Sequence, residues 1–261
     1  MPGFSYNTIL NTRSCSSIEL TLTDTCPCET LCSYPIMQQM NAVRLVKTST
    51  RAATAELRPS QYQAPGRHPV LIKVPAASLN YRDLALLRGE YRAESKEGVV
   101  PLSDGAAEVV AVGKGVMRVK PGDRVSVTCN TTWIGGPSIA EYRRTSVGFS
   151  IDGMLAEYAV FYEDALVPIP DYLSYVEAAS LPCAAVTAWV GPNKIEPLQP
   201  GHTVLIQGAG GVSLFALQFV KILGPRTGNH LVRRKAAKLK ELGADVVVNY
   251  STHPEWDQVR Y

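Results

Sequence analysis

Residues Thr203 to Gly224, TVLIQGAGGVSLFALQFVKILG, constrain the fold of this chain more than any other stretch. Val204, Leu205 and Ile206 form a short apolar run, as in strands buried on both faces of a parallel sheet. Gly208-Ala209-Gly210-Gly211 then turns the chain. Val212, Phe215, Ala216, Phe219, Val220 and Leu223 follow at helical spacing and form one apolar stripe. Gly224 and Pro225 stop the helix. Gly208 permits the tight turn, Gly210 lets backbone approach a pyrophosphate, and Gly211, Val212 and Ser213 open a helix whose free N–H groups attract anions. Ser213 stands where a third glycine is usual. A glycine turn can also be purely structural; the strand before and the helix after favour a dinucleotide.

The rest of the chain divides by character. Residues 1–39 are rich in Ser and Thr, with weak periodicity, and are expected to form a disordered extension. Cys15, Cys26, Cys28 and Cys32 lie there without a neighbouring histidine, and Cys-Pro-Cys is not zinc-knuckle spacing. No basic region precedes an apolar core, so no export signal is expected and a cytoplasmic location follows; Arg13 alone is too little base for a transit peptide. Cys129 and Cys183 lie far apart and read as ordinary reduced thiols.

From residue 40 to about 168, short strands separated by turns predict a compact mostly-β domain. Candidate strands are Ala42–Lys47, Val70–Val74, Gly105–Val112, Arg124–Thr128 and Gly153–Phe161, with a short helix from Asn80 to Arg88 closed by Gly89. Asn130 to Ser150 is a long polar loop of the kind that often binds ligands. Residues 169–261 open on a helical segment, Ser174 to Trp189, and hold the glycine turn. A net charge of +3 gives no argument for nucleic acid or a membrane surface, and no apolar run is long enough to span a bilayer.

Several segments in this order resemble the medium-chain dehydrogenase/reductase superfamily. They are Leu79-Asn80-Tyr81-Arg82-Asp83, Pro101-Leu102-Ser103-Asp104-Gly105, Lys120-Pro121-Gly122-Asp123-Arg124-Val125, Asp152 to Tyr158, Leu181 to Trp189, the glycine turn, and Leu242 to Tyr250. The likeness covers residues 41–261 and is closest to the zinc-free branches, quinone-oxidoreductase-like and enoyl-reductase-like, beside zinc-type alcohol dehydrogenase-like members. It implies an α/β plus β architecture: a chaperonin-10-like (GroES-like) mostly-β catalytic domain followed by a Rossmann domain.

Zinc-dependent members carry Cys at the position of Asn80 and His near Ser103, and only Cys129 lies in the region of the family's four-cysteine lobe. The expectation is therefore no zinc, and a substrate that is itself electrophilic: an enoyl thioester, enone or quinone. The implied reaction moves hydride from a reduced nicotinamide to an activated double bond or carbonyl and then adds a proton. Tyr91 matches the catalytic tyrosine of similar enoyl reductases, although a lone tyrosine after a helix is also a common packing residue. Asn80 and Tyr81 are candidates to line the nicotinamide or substrate pocket, and Asp83 to cap or pair locally. Thr187 matches a nicotinamide-contacting threonine.

Arg226, Arg233, Arg234, Lys235, Lys238 and Lys240 precede the first acid, Glu241. That cluster favours the 2′-phosphate of NADP over the ribose diol of NAD, with Lys235 and Tyr250 as contacts; the alternative is a solvated helix face. A homodimer would need the later strands of the sheet.

The chain also departs from the family pattern. Pro225, Gly228 and Asn229 are expected to remove or distort the second strand of the nucleotide sheet. Pro192 stands in a helical position. A full Rossmann sheet has about six strands, and two are secure here, Thr203–Gln207 and Asp245–Tyr250. The Rossmann domain is expected to be incomplete, which leaves two readings open: a working oxidoreductase, or an inactive fragment or binding module of the same family.

Overall fold

The computed structural model describes residues 10–11, 39–48, 52–61, 68–91, 93, 95–193, 198–224, 226–231 and 236–255. It divides into two compact units, one comprising Asn7–Pro182 and the other containing Cys183–Tyr261.

The first unit is mostly β. Leu10–Asn11 (β1) lies on the edge of Pro69–Ser78 (β4), and Met40–Lys47 (β2) pairs antiparallel with Ala53–Ser60 (β3). After β4 come the helix Tyr81–Leu87 (α1), Asp104–Val112 (β5), Arg124–Val127 (β6), Tyr158–Tyr162 (β7) and Leu166–Pro168 (β8). The sheet order is β1-β4-β5-β6-β8, with β7 also on β4, and all pairs are antiparallel. The stretch VLIKV is buried on both faces: Val70, Leu71 and Ile72 are each 0% exposed. A sheet covered on both sides needs an apolar run rather than alternation, and the sequence supplies one there.

The core joins Val70, Ile72, Val109, Val125, Val127, Phe161 and Leu166. Gly89 adopts φ +67° just past α1, the left-handed closure that glycine allows. The long polar loop is tied at its base by an Asn130–Ser146 bridge and contains a 3₁₀ turn, Ala140–Thr145. Trp133 stacks on Tyr142 across it, with ring centroids 5.8 Å apart.

Tyr175–Ala179 (α2) follows, capped by a reciprocal pair in which Ser174 Oγ accepts from the Glu177 amide and the Glu177 carboxylate accepts from the Ser174 amide. The helical run passes through a π-type turn, Leu181–Ala185, into Val186–Asn193 (α3), so Pro192 lies inside a helix as its position suggested.

In the second unit, Thr203–Gln207 (β9) leads through the glycine turn into Gly211–Leu223 (α4). Gly224 ends α4 with φ +90°. Arg226–Leu231 (β10), Ala236–Glu241 (α5) and Val247–Val248 (β11) complete the described elements, and the three strands pair in parallel in the order β11-β10-β9. Of the two outcomes expected for the second strand, loss or distortion, the structure shows distortion: β10 forms, and its register slips between Gly228 and His230. Pairing on both sides outweighs the poor strand propensity of Gly and Asn, and the misfit is absorbed as a bulge. The second secure strand is shorter than the sequence suggested, since only Val247 and Val248 pair.

Candidate functional site

In the β-rich unit the functional-looking residues gather where α1, the start of β5 and the end of β6 meet. Ser103 and Asp104 are each 1% exposed and Asp83 is 3%. Leu102, just before them, has φ +70°, a strained value for a branched residue, and is 1% exposed. Two glycines hold it there. A Cβ on Gly148 would stand 2.6 Å from the Leu102 carbonyl carbon, and one on Gly153 would overlap the Leu102 oxygen. The amide of Met154 donates to that same oxygen at 2.8 Å. The clamp fixes how Ser103 and Asp104 enter the buried space.

Asp104 Oδ1 accepts from Ser103 Oγ at 2.6 Å and from the Cys129 thiol at 3.7 Å. Asp83 Oδ2 accepts from the Asn80 amide at 2.7 Å, closing the first turn of α1. Burial pushes the Asp83 carboxyl above the usual carboxylate range; the Asn80 amide and the Arg82 charge oppose this, and the Asp104 charge adds to it. Asn80 Nδ2 and Asp83 Oδ1 are buried with no hydrogen-bond partner of acceptable geometry among the described residues, although the Leu102 amide lies near enough to favour the charged form of Asp83. A buried amide N–H left unpaired costs about 1–3 kcal/mol, so Asn80 is poised to donate to an incoming acceptor. Tyr91 is 41% exposed and meets Phe149 edge-to-face at 5.2 Å. That contact is the packing role the sequence left open, and the exposure leaves its ring accessible.

Cys183 lies in the π-type turn Leu181–Ala185, which follows the C-cap of α2 at Ser180. The ligand atoms of Asp104, Cys129 and Cys183 all lie within 4.8 Å of one another. Two sulfurs and a carboxylate are ligand types that zinc accepts, and the 3.7 Å between Cys129 Sγ and Asp104 Oδ1 suits two ligands on one tetrahedral ion with bonds of about 2.0–2.3 Å. The residues present therefore fit a zinc ion. Sequence reasoning missed this group because it tested the positions of Asn80 and Ser103 and read the two cysteines as unrelated. The acid immediately after Ser103 was the available signal.

The second unit carries the glycine turn. Gly208 has φ +82° and Gly210 precedes the first turn of α4. A Cβ built on Gly210 meets nothing within 4 Å, so the space before the helix is open. Ser213 Oγ donates to the Gln207 carbonyl at 2.8 Å, tying α4 to the end of β9. Gly211 and Val212 are exposed on the first turn, Thr187 is exposed on α3, and Tyr250 is 45% exposed just beyond β11. Lys235, with Arg233 and Arg234, lies outside the described residues. Of the other bases, Lys238 pairs with Glu241 at 3.0 Å.

The alcohol dehydrogenase GroES-like domain family matches residues 66–171. A zinc-type alcohol dehydrogenase-like protein of Schizosaccharomyces pombe is 40% identical over 223 residues, 82% of this chain and 64% of that protein. An acryloyl-coenzyme A reductase of Metallosphaera sedula is 34% identical over 74% of this chain and 60% of its own length. A chloroplastic quinone-oxidoreductase of Triphysaria versicolor is 33% identical over 72% and 54%. Among solved structures, an alcohol dehydrogenase from Sinorhizobium meliloti 1021 aligns with a TM-score of 0.72 at 32% identity, covering 82% of this chain and 63% of that one. A cobalt- and zinc-bound thermostable alcohol dehydrogenase from Pyrobaculum aerophilum gives 0.69 at 28% identity, covering 83% and 68%. The chain thus spans less than two thirds of the length of these curated relatives.

Zinc appears in the names of two of these proteins, and this chain brings two thiols and a carboxylate together. These findings overturn the expectation of a chain without zinc. Among the described residues no helix is long and apolar enough to cross a membrane.

Proposed function

Because this chain belongs to the medium-chain dehydrogenase/reductase superfamily, we propose that it acts as an NADP-linked oxidoreductase on a small molecule with an activated alkene or carbonyl. The observation that carries this reading is the open glycine turn at the start of α4, with Gly208 at φ +82° and clear space at Gly210. Its amides and the helix N-terminus bind the diphosphate. Gly208, Gly210, Gly211, Val212 and Ser213 form that cradle, Thr187 contacts the nicotinamide, and Lys235 and Tyr250 read the 2′-phosphate.

Asp104, Cys129 and Cys183 hold a zinc ion. When bound, the nicotinamide supplies a hydride and the zinc supplies polarisation of a carbonyl oxygen. Asn80 offers its unpaired amide N–H to the substrate oxygen, and Tyr91 delivers the proton. Ser103 holds Asp104 oriented through the 2.6 Å hydrogen bond.

Titrating the purified chain with NADPH, while following Trp189 fluorescence and absorbance at 340 nm with enones, quinones and enoyl thioesters, tests the reading. Saturable quenching with NADPH consumption is the expected result. No saturable response overturns it. A parallel measurement of zinc content, with Cys129→Ser reducing it, tests the metal separately. A second reading, a non-catalytic binding module, is favoured by one observation, the exposed Leu205 on β9.

A further inference from the structure

We infer that Arg82 is a positioning residue of the metal group: it latches α1 to the segment Ser146–Gly148, which in turn holds the chain at both Cys129 and Asp104. The inference rests on the reading of Asp104, Cys129 and Cys183 as a zinc site. Arg82 is half-buried on the first turn of α1. Its Nη1 donates to Ser146 Oγ at 3.2 Å and its Nη2 to the Val147 carbonyl at 2.5 Å. Among the described residues it makes no ion pair, so these donors are spent on a hydroxyl and a backbone carbonyl. A planar guanidinium fork spans acceptors on two successive residues in one fixed geometry, and a lysine ammonium does not.

The gripped segment touches two ligand carriers. On one side the Val147 amide donates to the Cys129 carbonyl at 3.0 Å, and the Asn130–Ser146 bridge continues the pairing. On the other side Gly148 abuts Leu102 so closely that a Cβ there would stand 2.6 Å from the Leu102 carbonyl carbon. Leu102 leads directly into Ser103 and Asp104. Ser146 is 8% exposed and Val147 0%, so the segment is walled in. The Cys129 sulfur and the Asp104 carboxylate meet at 3.7 Å. That spacing depends on both paths, and both run through residues that Arg82 holds. The helix so anchored carries Asn80 as its N-cap. The latch therefore also sets where the Asn80 amide stands relative to the metal group. Removing a contact that stands behind the ligands typically costs about 10–100-fold in metal affinity.

The test loads the full chain with cobalt(II), an ion bound beside zinc in the Pyrobaculum aerophilum relative. Unlike zinc, it reports its ligands by absorption. The unaltered chain is expected to show a sulfur-to-cobalt charge-transfer band and strong d–d bands. Arg82→Met is expected to weaken cobalt binding about tenfold or more and to shift those bands, because sulfur and carboxylate no longer meet in one geometry. Arg82→Lys keeps the charge without the fork and should lie closer to Arg82→Met than to the unaltered chain. In the metal-free protein, hydrogen exchange at the Val147 amide should speed up in Arg82→Met, a readout that needs no metal. Ser146→Ala removes one of the two bonds and should cost roughly fivefold in cobalt affinity; it decides the matter if Arg82→Met does not fold. A folded Arg82→Met with lower melting but unchanged cobalt bands and affinity overturns the latch and leaves the zinc reading standing. Unchanged Val147 exchange in that variant, or unchanged cobalt affinity in Ser146→Ala, does the same. An unaltered chain that takes up no cobalt overturns the zinc reading and this inference with it.

Discussion

The two units solve the same problem, covering a sheet, to different extents. In the β-rich unit both faces of β4 are closed, and Leu71, Ile72, Leu102, Met154 and Leu166 are among its fully buried large side chains. In the second unit Leu217, Val220 and Leu239 reach that state, and Leu217 and Leu239 pack with Ile206 of the three-stranded sheet. The antiparallel unit closes its core through pairs remote in sequence, such as β4 with β7 and β6 with β8. A parallel sheet needs helices over both faces, and in the second unit Leu217 and Leu239 pack against Ile206 on one of them.

The largest expected effects come from probing the two cores directly. Leu71→Ala and Leu217→Ala each remove a side chain that is 0% exposed, at a cost of about 2–5 kcal/mol. In calorimetry, Leu71→Ala should lower the melting of the β-rich unit, while Leu217→Ala should abolish folding of the thinner second unit. If Leu217→Ala were the milder of the two, the contrast between a closed and an open core would be wrong.

Glu163 sharpens the comparison by showing how firmly the first unit anchors even its loops. Burial alone would raise its carboxyl, but the amides of Met117 and Arg118, both at 2.7 Å, outweigh burial, and His68 at 3.0 Å adds to them, holding it below the usual carboxylate range. A lowered folded-state value means that this stabilisation is present above the unfolded carboxylate pKa. It is lost as pH falls through that value towards the folded one. Glu163→Gln should cost about 1.5–3 kcal/mol near neutral pH and flatten the acid side of the stability profile. An unchanged acid slope in urea titrations at several pH values would refute this role.

Gly153→Ala addresses the strained entry to the candidate site. Its Cβ would overlap the carbonyl of Leu102, so Leu102 or the turn must move, at about 1–3 kcal/mol. Ser103 and Asp104 follow directly in the chain. The variant is therefore expected to lose zinc as well as stability, measured by metal content after dialysis. Retention of full metal content would separate the clamp from the ligand group.

How far the sequence revealed all this depended on whether the determining contacts were local. The glycine turn, the ends of α4 and the apolar run of β4 follow from neighbours in the chain, and the structure has them where spacing placed them. For β10 the sequence showed the distortion but not that the strand would survive it, because Gly228 and Asn229 disfavour a strand while pairing with β9 and β11, in other segments, imposes one. The Asp104–Cys129–Cys183 group was hidden for a similar reason: three separate segments meet, and none of them carries a ligand spacing of its own. The positive φ of Leu102 left no trace in residue type, since its cause lies in the absent side chains of Gly148 and Gly153.

The smallest effect is expected at the turn itself, and it asks whether the open unit is at least locally preorganised. Ser213 replaces a glycine of the usual pattern and uses its hydroxyl to hold the Gln207 carbonyl at 2.8 Å. This bond joins the last residue of β9 to the first turn of α4, so it fixes the angle at which the amides of Gly210 and Gly211 present themselves. Ser213→Ala deletes one exposed hydrogen bond worth about 1 kcal/mol, equivalent to roughly a fivefold loss of NADPH affinity if the whole amount is felt at the cradle. Ser213→Thr keeps the hydroxyl and should restore the affinity, which a role in helix propensity alone would not predict, because Thr is the poorer helix former. The measurement is the Trp189 fluorescence titration on all three proteins. Equal affinities would mean that the turn holds its shape without the serine, and that its order comes from Gly208 and the sheet behind it.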